Sequence, residues 1–241
     1  MHRPFLRHWH AAVLAGSLLV GCGDGPIAPF DPSRDLRLRI VNASVAAGGA
    51  AEFLLDNQSA GLLGYGAGTP YFQATGGSRT IEMRDEPTDD GLPGPTLFTT
   101  QVSLSAGQFQ TVIVTGSASE LAAITTTELS DAPDGSFRLR LVHAGITTPA
   151  LDLYVVAEGA SIDDVSPVIS GIDPREVSEY QLFNIGTYDA RLTTVGTKDV
   201  VASNRLSIQE NLAATMLVLD NPIPEEPPGA FVVRDGGDLD P

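Results

Sequence analysis

Cysteine occurs once in the 241 residues, as Cys22, so no intramolecular disulfide can form. Lysine also occurs once, as Lys198, and tryptophan once, as Trp9. Basic residues number 14 against 30 acidic ones, a net charge of -16. A surface this negative repels nucleic acid, because phosphate binding needs clustered Lys and Arg to displace counterions. Three of the four histidines, His2, His8 and His10, fall within the first ten residues, leaving His143 as the one imidazole of the main chain. No stretch of ten or more residues in that main chain keeps a helical apolar period with capping residues, which excludes a helical architecture.

What is present begins with a leader. Residues 1–22 carry a basic start with Arg3 and Arg7, an apolar run from Ala11 to Val20, and then Leu19-Val20-Gly21-Cys22. The apolar run is too short to span a bilayer as a permanent helix. The segment resembles a bacterial lipoprotein signal, with Leu19, Val20 and Gly21 as the lipobox. The resemblance implies cleavage before Cys22, lipidation of its thiol, and a permanent membrane anchor once two or more acyl chains are attached. Gly23 rather than an acidic residue follows the cysteine, which favours the outer membrane. Loss of the leader lowers the basic count from 14 to 12 against 30 acidic residues, a net of -18. Residues 23–35, with Gly23, Gly25, Pro26, Pro29 and Pro32, show no apolar period and read as a flexible tether.

The rest of the chain is built on a duplication. Leu36-Arg37-Leu38-Arg39-Ile40-Val41-Asn42-Ala43 returns 101 positions later as Phe137-Arg138-Leu139-Arg140-Leu141-Val142-His143-Ala144. Alternation places Leu36, Leu38 and Ile40 on one face of an extended strand and Arg37 and Arg39 on the other. Repetition at this length implies two tandem domains of about 95 residues each. The first runs over residues 36–129 and the second over 137–234, with a junction at 130–136 short enough to restrict their orientation and a fraying acidic tail at 235–241. Landmarks keep their order in both, such as Gly77-Ser78-Arg79 and Gly186-Thr187-Tyr188 at the start of a strand. Seven short strands per domain, punctuated by turns, predict an all-β protein of two sandwiches.

The run from Arg138 to Ala144, Leu151-Asp152-Leu153-Tyr154-Val155, and Gly186-Thr187-Tyr188 together resemble the bacterial envelope family catalogued as domain of unknown function 4397. The resemblance implies immunoglobulin-like sandwiches in tandem on an exported protein, and no established activity. The Ser-Pro-Asp-Ala-Pro turn typical of that family is replaced by Ser44-Val45-Ala46-Ala47 in the first copy and by Gly145-Ile146-Thr147-Thr148 in the second.

Chemistry-bearing residues are few. His143, at the end of a core-facing strand, reads either as a ligand-binding or catalytic imidazole or as a polar plug bonded to a nearby loop. Without a second His or a second Cys, neither a structural zinc site nor a nucleophile pair assembles in the mature monomer. Asp85, Asp89 and Asp90 are the candidates for calcium, although none of the acidic loops follows the spacing of a calcium loop. Tyr65, Tyr71 and Phe72 lie in a Gly-rich stretch suited to a sugar-stacking platform. Arg37, Arg39, Arg138 and Arg140 are expected to face outward and pair across strands with Glu52, Asp56 or Asp152. These readings add up to a lipid-anchored envelope protein with a non-catalytic binding or spacer role and no cofactor. Its expected partners are the membrane, through Cys22, and an envelope protein or a glycan. A surface adhesin or carbohydrate-binding module is the alternative, and a carboxylate-dependent hydrolase the reading from another class.

Overall fold

A computed structural model describes residues 29–223 and 226–236. The leader, the lipobox residues Leu19, Val20 and Gly21, and Cys22 lie outside the described residues, as do 237–241. The described chain is all strand and connecting loop, in sixteen strands forming four four-stranded sheets. Two β-sandwich units result.

In the first unit, β1 (Asp35–Ser44), β4 (Phe72–Thr75), β7 (Phe109–Gly116) and β8 (Ala122–Glu128) form one sheet, in the order β4-β1-β7-β8. Facing it are β2 (Ala51–Leu55), β3 (Gln58–Leu63), β5 (Gly77–Asp85) and β6 (Thr96–Leu104), in the order β3-β2-β5-β6. All pairings are antiparallel except β1 with β7, which run parallel from Arg37↔Phe109 to Ser44↔Gly116. Between the sheets lie Leu36, Leu38, Ile40, Phe53, Ile81, Met83, Val112 and Val114, one alternate face of each strand.

The second unit repeats this plan. Strands β9 (Ser136–His143), β12 (Gln181–Asn184), β15 (Ala213–Leu219) and β16 (Gly229–Arg234) pair in the order β12-β9-β15-β16, again with the opening strand parallel to the third member. Opposite them are β10 (Leu151–Ala157), β11 (Ile169–Ile172), β13 (Gly186–Thr194) and β14 (Val200–Ile208), in the order β11-β10-β13-β14. Its core gathers Phe137, Leu139, Leu141, Leu151, Leu153, Leu192 and Met216.

Each unit holds eight strands rather than the seven expected. In the first, Gln58–Leu63 is a full strand, although its small and polar residues carry no alternation. Its hairpin depends on Asp56 and Asn57, both at positive φ (50° and 67°), the geometry of a two-residue type I′ turn. The tether also ends earlier than the composition suggests. Asp31 to Asp35 form a hydrogen-bonded turn, Arg37 lies 4.8 Å from the ring centre of Phe30, and Asp35 is itself buried in β1.

The main departure concerns the outer faces of the two opening strands, which are not solvated. A further apolar cluster joins Val41, Ala43, Ile113 and Ile124 of the first unit to Val142, Ala144, Leu217 and Leu219 of the second. The β1 sheet therefore packs on the β9 sheet, and the four sheets stack in layers. Strands β7 and β15 are buried on both faces along nearly their whole length, which explains their uninterrupted apolar runs.

Candidate functional site

At one end of this inter-unit face, the apolar cluster gives way to eight polar side chains, four from each unit. Arg39 of β1 and Arg140 of β9 occupy matching positions in the duplicated motif, and each projects away from its own core into the interface. Arg39 donates from Nε to Thr111 (3.0 Å), from Nη2 to Glu128 (3.0 Å) and Asp235 (3.2 Å), and from Nη1 to the Arg234 carbonyl (3.0 Å). Arg140 donates from Nε to Thr215 (2.8 Å) and from Nη1 to the Thr127 carbonyl (2.9 Å). It also stands 3.7 Å from Glu128 and 4.0 Å from Asp235. Each arginine thus reaches a backbone carbonyl of the opposite unit.

The tyrosines complete the symmetry. The Arg39 guanidinium lies 4.7 Å from the ring centre of Tyr71, and that of Arg140 lies 4.7 Å from the ring centre of Tyr180. The Tyr71 hydroxyl donates to Glu128 and the Tyr180 hydroxyl to Asp235 (2.7 Å). Thr111 donates to Glu128, as Thr215 does to Asp235 (2.7 Å). One half of the network is Arg39, Tyr71, Thr111 and Glu128; the other is Arg140, Tyr180, Thr215 and Asp235. The outward pairing expected for these arginines is therefore corrected. Arg140 is buried between the units and Arg39 largely so, Asp56 pairs with Arg79 at 3.3 Å, and Asp152 accepts from the amides of Gly171 and Gly196. Asp235, expected to open the fraying tail, is fully buried as an anchor of the interface.

This arrangement is a clasp rather than a reaction centre. The void among these side chains is about 10 Å³, the size of one water, whereas small-molecule sites run to about 300–1,000 Å³. Burial pushes the Glu128 carboxyl up to about 7, with the Asp235 charge acting in the same direction and Arg39 and Arg140 opposing both. The folded protein therefore holds a proton there that the unfolded chain has released between about pH 4.5 and 7. Stability from this group is present at the acid end of the window and declines as pH rises through it. Melting temperature is expected to be higher at pH 5 than at pH 8, and Glu128→Gln is expected to flatten that dependence in differential scanning calorimetry. An unchanged pH profile in the variant would remove Glu128 as its source.

The other sequence candidates are dispersed. Tyr65 donates its hydroxyl to the Asp220 carbonyl across the inter-unit face, and burial holds its pKa up at about 12. Tyr71 belongs to the clasp. Phe72 alone of the three lines an open cleft, with Leu55, Gln58, Ser59, Pro70 and Gln73 among its neighbours. The stacking platform of Tyr65, Tyr71 and Phe72 is thus not assembled, because the first two are turned into the inter-unit face, Tyr65 onto Asp220 and Tyr71 onto Glu128. His143 is fully buried, bonded through Nε2 to the Pro149 carbonyl at 3.1 Å, and burial holds its pKa below the usual imidazole range. Beside it, Asp220 accepts from the amides of Ile146, Thr147 and Thr148 and from the Thr148 hydroxyl. Burial opposes the Asp220 charge, yet these donors hold its carboxyl below the ordinary range. Asp89 and Asp90 stand exposed on the loop after β5, and Asp85 accepts from the neighbouring Glu86 amide. Among the described residues no three His, Cys, Asp or Glu side chains gather closely enough to hold a metal.

The clasp departs from what the alternation of the opening strands implies, one buried face and one solvated face. A signal was available in the adjacent apolar pairs and runs, Ile40-Val41, Leu141-Val142, Val112-Ile113-Val114 and Met216-Leu217-Val218-Leu219. They mark strands covered on both sides.

Among solved structures, the chain is similar to CBMbc (family CBM26) from Eubacterium rectale Amy13K, determined in complex with maltoheptaose. Identity is 10%, the match covers 85% of this chain and 98% of that one, and the TM-score is 0.27. It is also similar to the Bacillus anthracis TIE protein, at 10% identity and a TM-score of 0.27, over 83% of this chain and 43% of that one. The two-sandwich fold follows from the strand pairing of this chain alone. No curated protein matches the sequence. A family model does match, over residues 36–154, a span that takes in β1 through β9 and most of β10 and so crosses the clasp between the units. Over that span the chain belongs to the family described as "Domain of unknown function (DUF4397)".

Proposed function

We propose that this is an exported envelope protein, anchored through a lipidated Cys22, whose two sandwiches act as one rigid, non-catalytic body for binding or spacing. The observation that carries the reading is the closed inter-unit face. Eight apolar side chains and a doubled arginine-carboxylate clasp join the β1 and β9 sheets. Two loosely tethered domains would sample many orientations, whereas a fused pair holds its loops at fixed separations, as a scaffold for binding loops requires. The Gly/Pro segment after Cys22 supplies reach from the membrane. The outer membrane is the favoured destination, and the partner is an envelope protein or a glycan. A hydrolase has less support: Glu128 and Asp235, which converge on Arg39, are sealed inside the clasp.

Protease shaving of intact cells, with detergent-lysed cells as control, tests the placement. Digestion on intact cells assigns the body to the outside and makes adhesion or ligand capture its role. Protection until lysis assigns it to the periplasm as a scaffold. Cys22→Ser is expected to move the protein from the membrane fraction to the soluble fraction on ultracentrifugation. Continued sedimentation with membranes would refute the anchor.

A further inference from the structure

We propose that the cleft between the edge strands β3 and β4 of the first unit binds an uncharged sugar, one or two residues of a neutral glycan. This deepens the non-catalytic binding reading above and rests on it. Strand β3 pairs only with β2, and β4 only with β1, so this side of the sandwich is open at the edges of both sheets. The cleft there has a volume of about 350 Å³, within the range of small-molecule sites.

Its chemistry is selective. Leu55, Pro70 and the half-buried Phe72 supply apolar surface, and Gln58, Ser59 and Gln73 supply polar groups; no ionisable side chain lines it. In a chain with 30 acidic residues, a cleft without one is notable. With no cation in the lining, a phosphate or carboxylate ligand has no counter-charge, and with no anion an amine has none. Primary amides and a hydroxyl both donate and accept, as sugar hydroxyls do, and an aromatic ring suits the C–H surface of a pyranose. Gln73 is held in place by donating from Nε2 to Asp35 at 2.8 Å, which leaves its Oε1 to accept from a ligand hydroxyl. The site belongs to one unit only. Phe72 pairs with Leu38 of β1, and the matching partner of Leu139 in β9 is Gln181, so the second unit has an amide where the first has the ring.

The test is isothermal titration of the detergent-solubilised full chain with maltotriose, cellotriose and chitotriose, and with trigalacturonate as the anionic counterpart. At least one neutral trisaccharide is expected to bind with a sub-millimolar Kd. Gln58→Ala, at an exposed position, is expected to weaken that binding tenfold or more without moving Tm, and Phe72→Leu to weaken it likewise. Absence of binding by all three neutral probes, tighter binding of trigalacturonate, or unchanged affinity in both variants would overturn the proposal. Failure here leaves fractionation of Cys22→Ser untouched, so the loss of this site and the loss of the anchored-body reading are told apart.

Discussion

Arg140→Ala is expected to destabilise the protein by about 3–5 kcal/mol, the usual cost of removing one partner from a buried ion pair. The Arg140 side chain is only 5% exposed, and its loss strips Thr215 and the Thr127 carbonyl of their donor. Asp235, fully buried, would keep only Arg39 as a counter-charge, at 3.2 Å. The clasp spans both units, so the damage should reach beyond the sandwich that carries the substitution. Equilibrium urea unfolding, followed by far-UV circular dichroism, checks the magnitude. Hydrogen exchange should show faster exchange along β7 and β8 of the first unit although the changed residue lies in the second. A loss below about 1 kcal/mol, the value of a solvated surface pair, would mean that the units are not clasped through this side chain.

Phe137→Ala is expected to cost about 3–5 kcal/mol by a different mechanism, the loss of buried apolar surface plus the cavity left behind. Phe137 is fully buried, stacked on Phe183 with ring centres 5.2 Å apart, and 5.8 Å from the ring of Tyr188. That aromatic group ties β9 to β12 and β13, and so to both sheets of the second unit. Thermal unfolding should begin in the second unit, read as early loss of amide protection in β9 and β12. Uniform loss in both units would instead show that the inter-unit face makes them unfold as one.

The two substitutions separate two kinds of information. Phe137 is identifiable as core from the sequence, because it alternates with Arg138 in a strand whose companion begins with Leu36. The same alternation placed Arg39 and Arg140 correctly on the opposite face. What it could not say is what lies beyond that face. A strand's period distinguishes its two sides but not water from a second sheet, and an arginine is compatible with both when a carboxylate waits opposite. Arg39 lies 89 positions from Glu128 and 196 from Asp235, and only the stacking of the β1 sheet on the β9 sheet brings these three together with Arg140.

The candidate aromatic residues show the same limit. Tyr65, Tyr71 and Phe72 are near neighbours in sequence, and proximity in the chain implies one platform. A strand reverses side-chain direction at each residue, so Tyr71 enters the clasp while Phe72 lines the cleft on the opposite side of its sheet. Strand β3 has no signature in the sequence, since its Ser, Ala and Gly carry no amphipathic period, and its place comes from the type I′ turn at Asp56-Asn57 and from pairing with β2.

By itself, then, the sequence determined the strand class, the doubling of the unit, the inward faces and the lone histidine at a strand end, because each follows from local periodicity or direct repetition. The tertiary structure alone decided that the units share a buried face, that Asp235 is an anchor rather than a tail, and that the uncharged cleft lies in the first unit. Apolar runs mark a strand as covered on both sides, but which residues meet there depends on contacts as distant as the 196 positions between Arg39 and Asp235, and no local pattern identifies such partners.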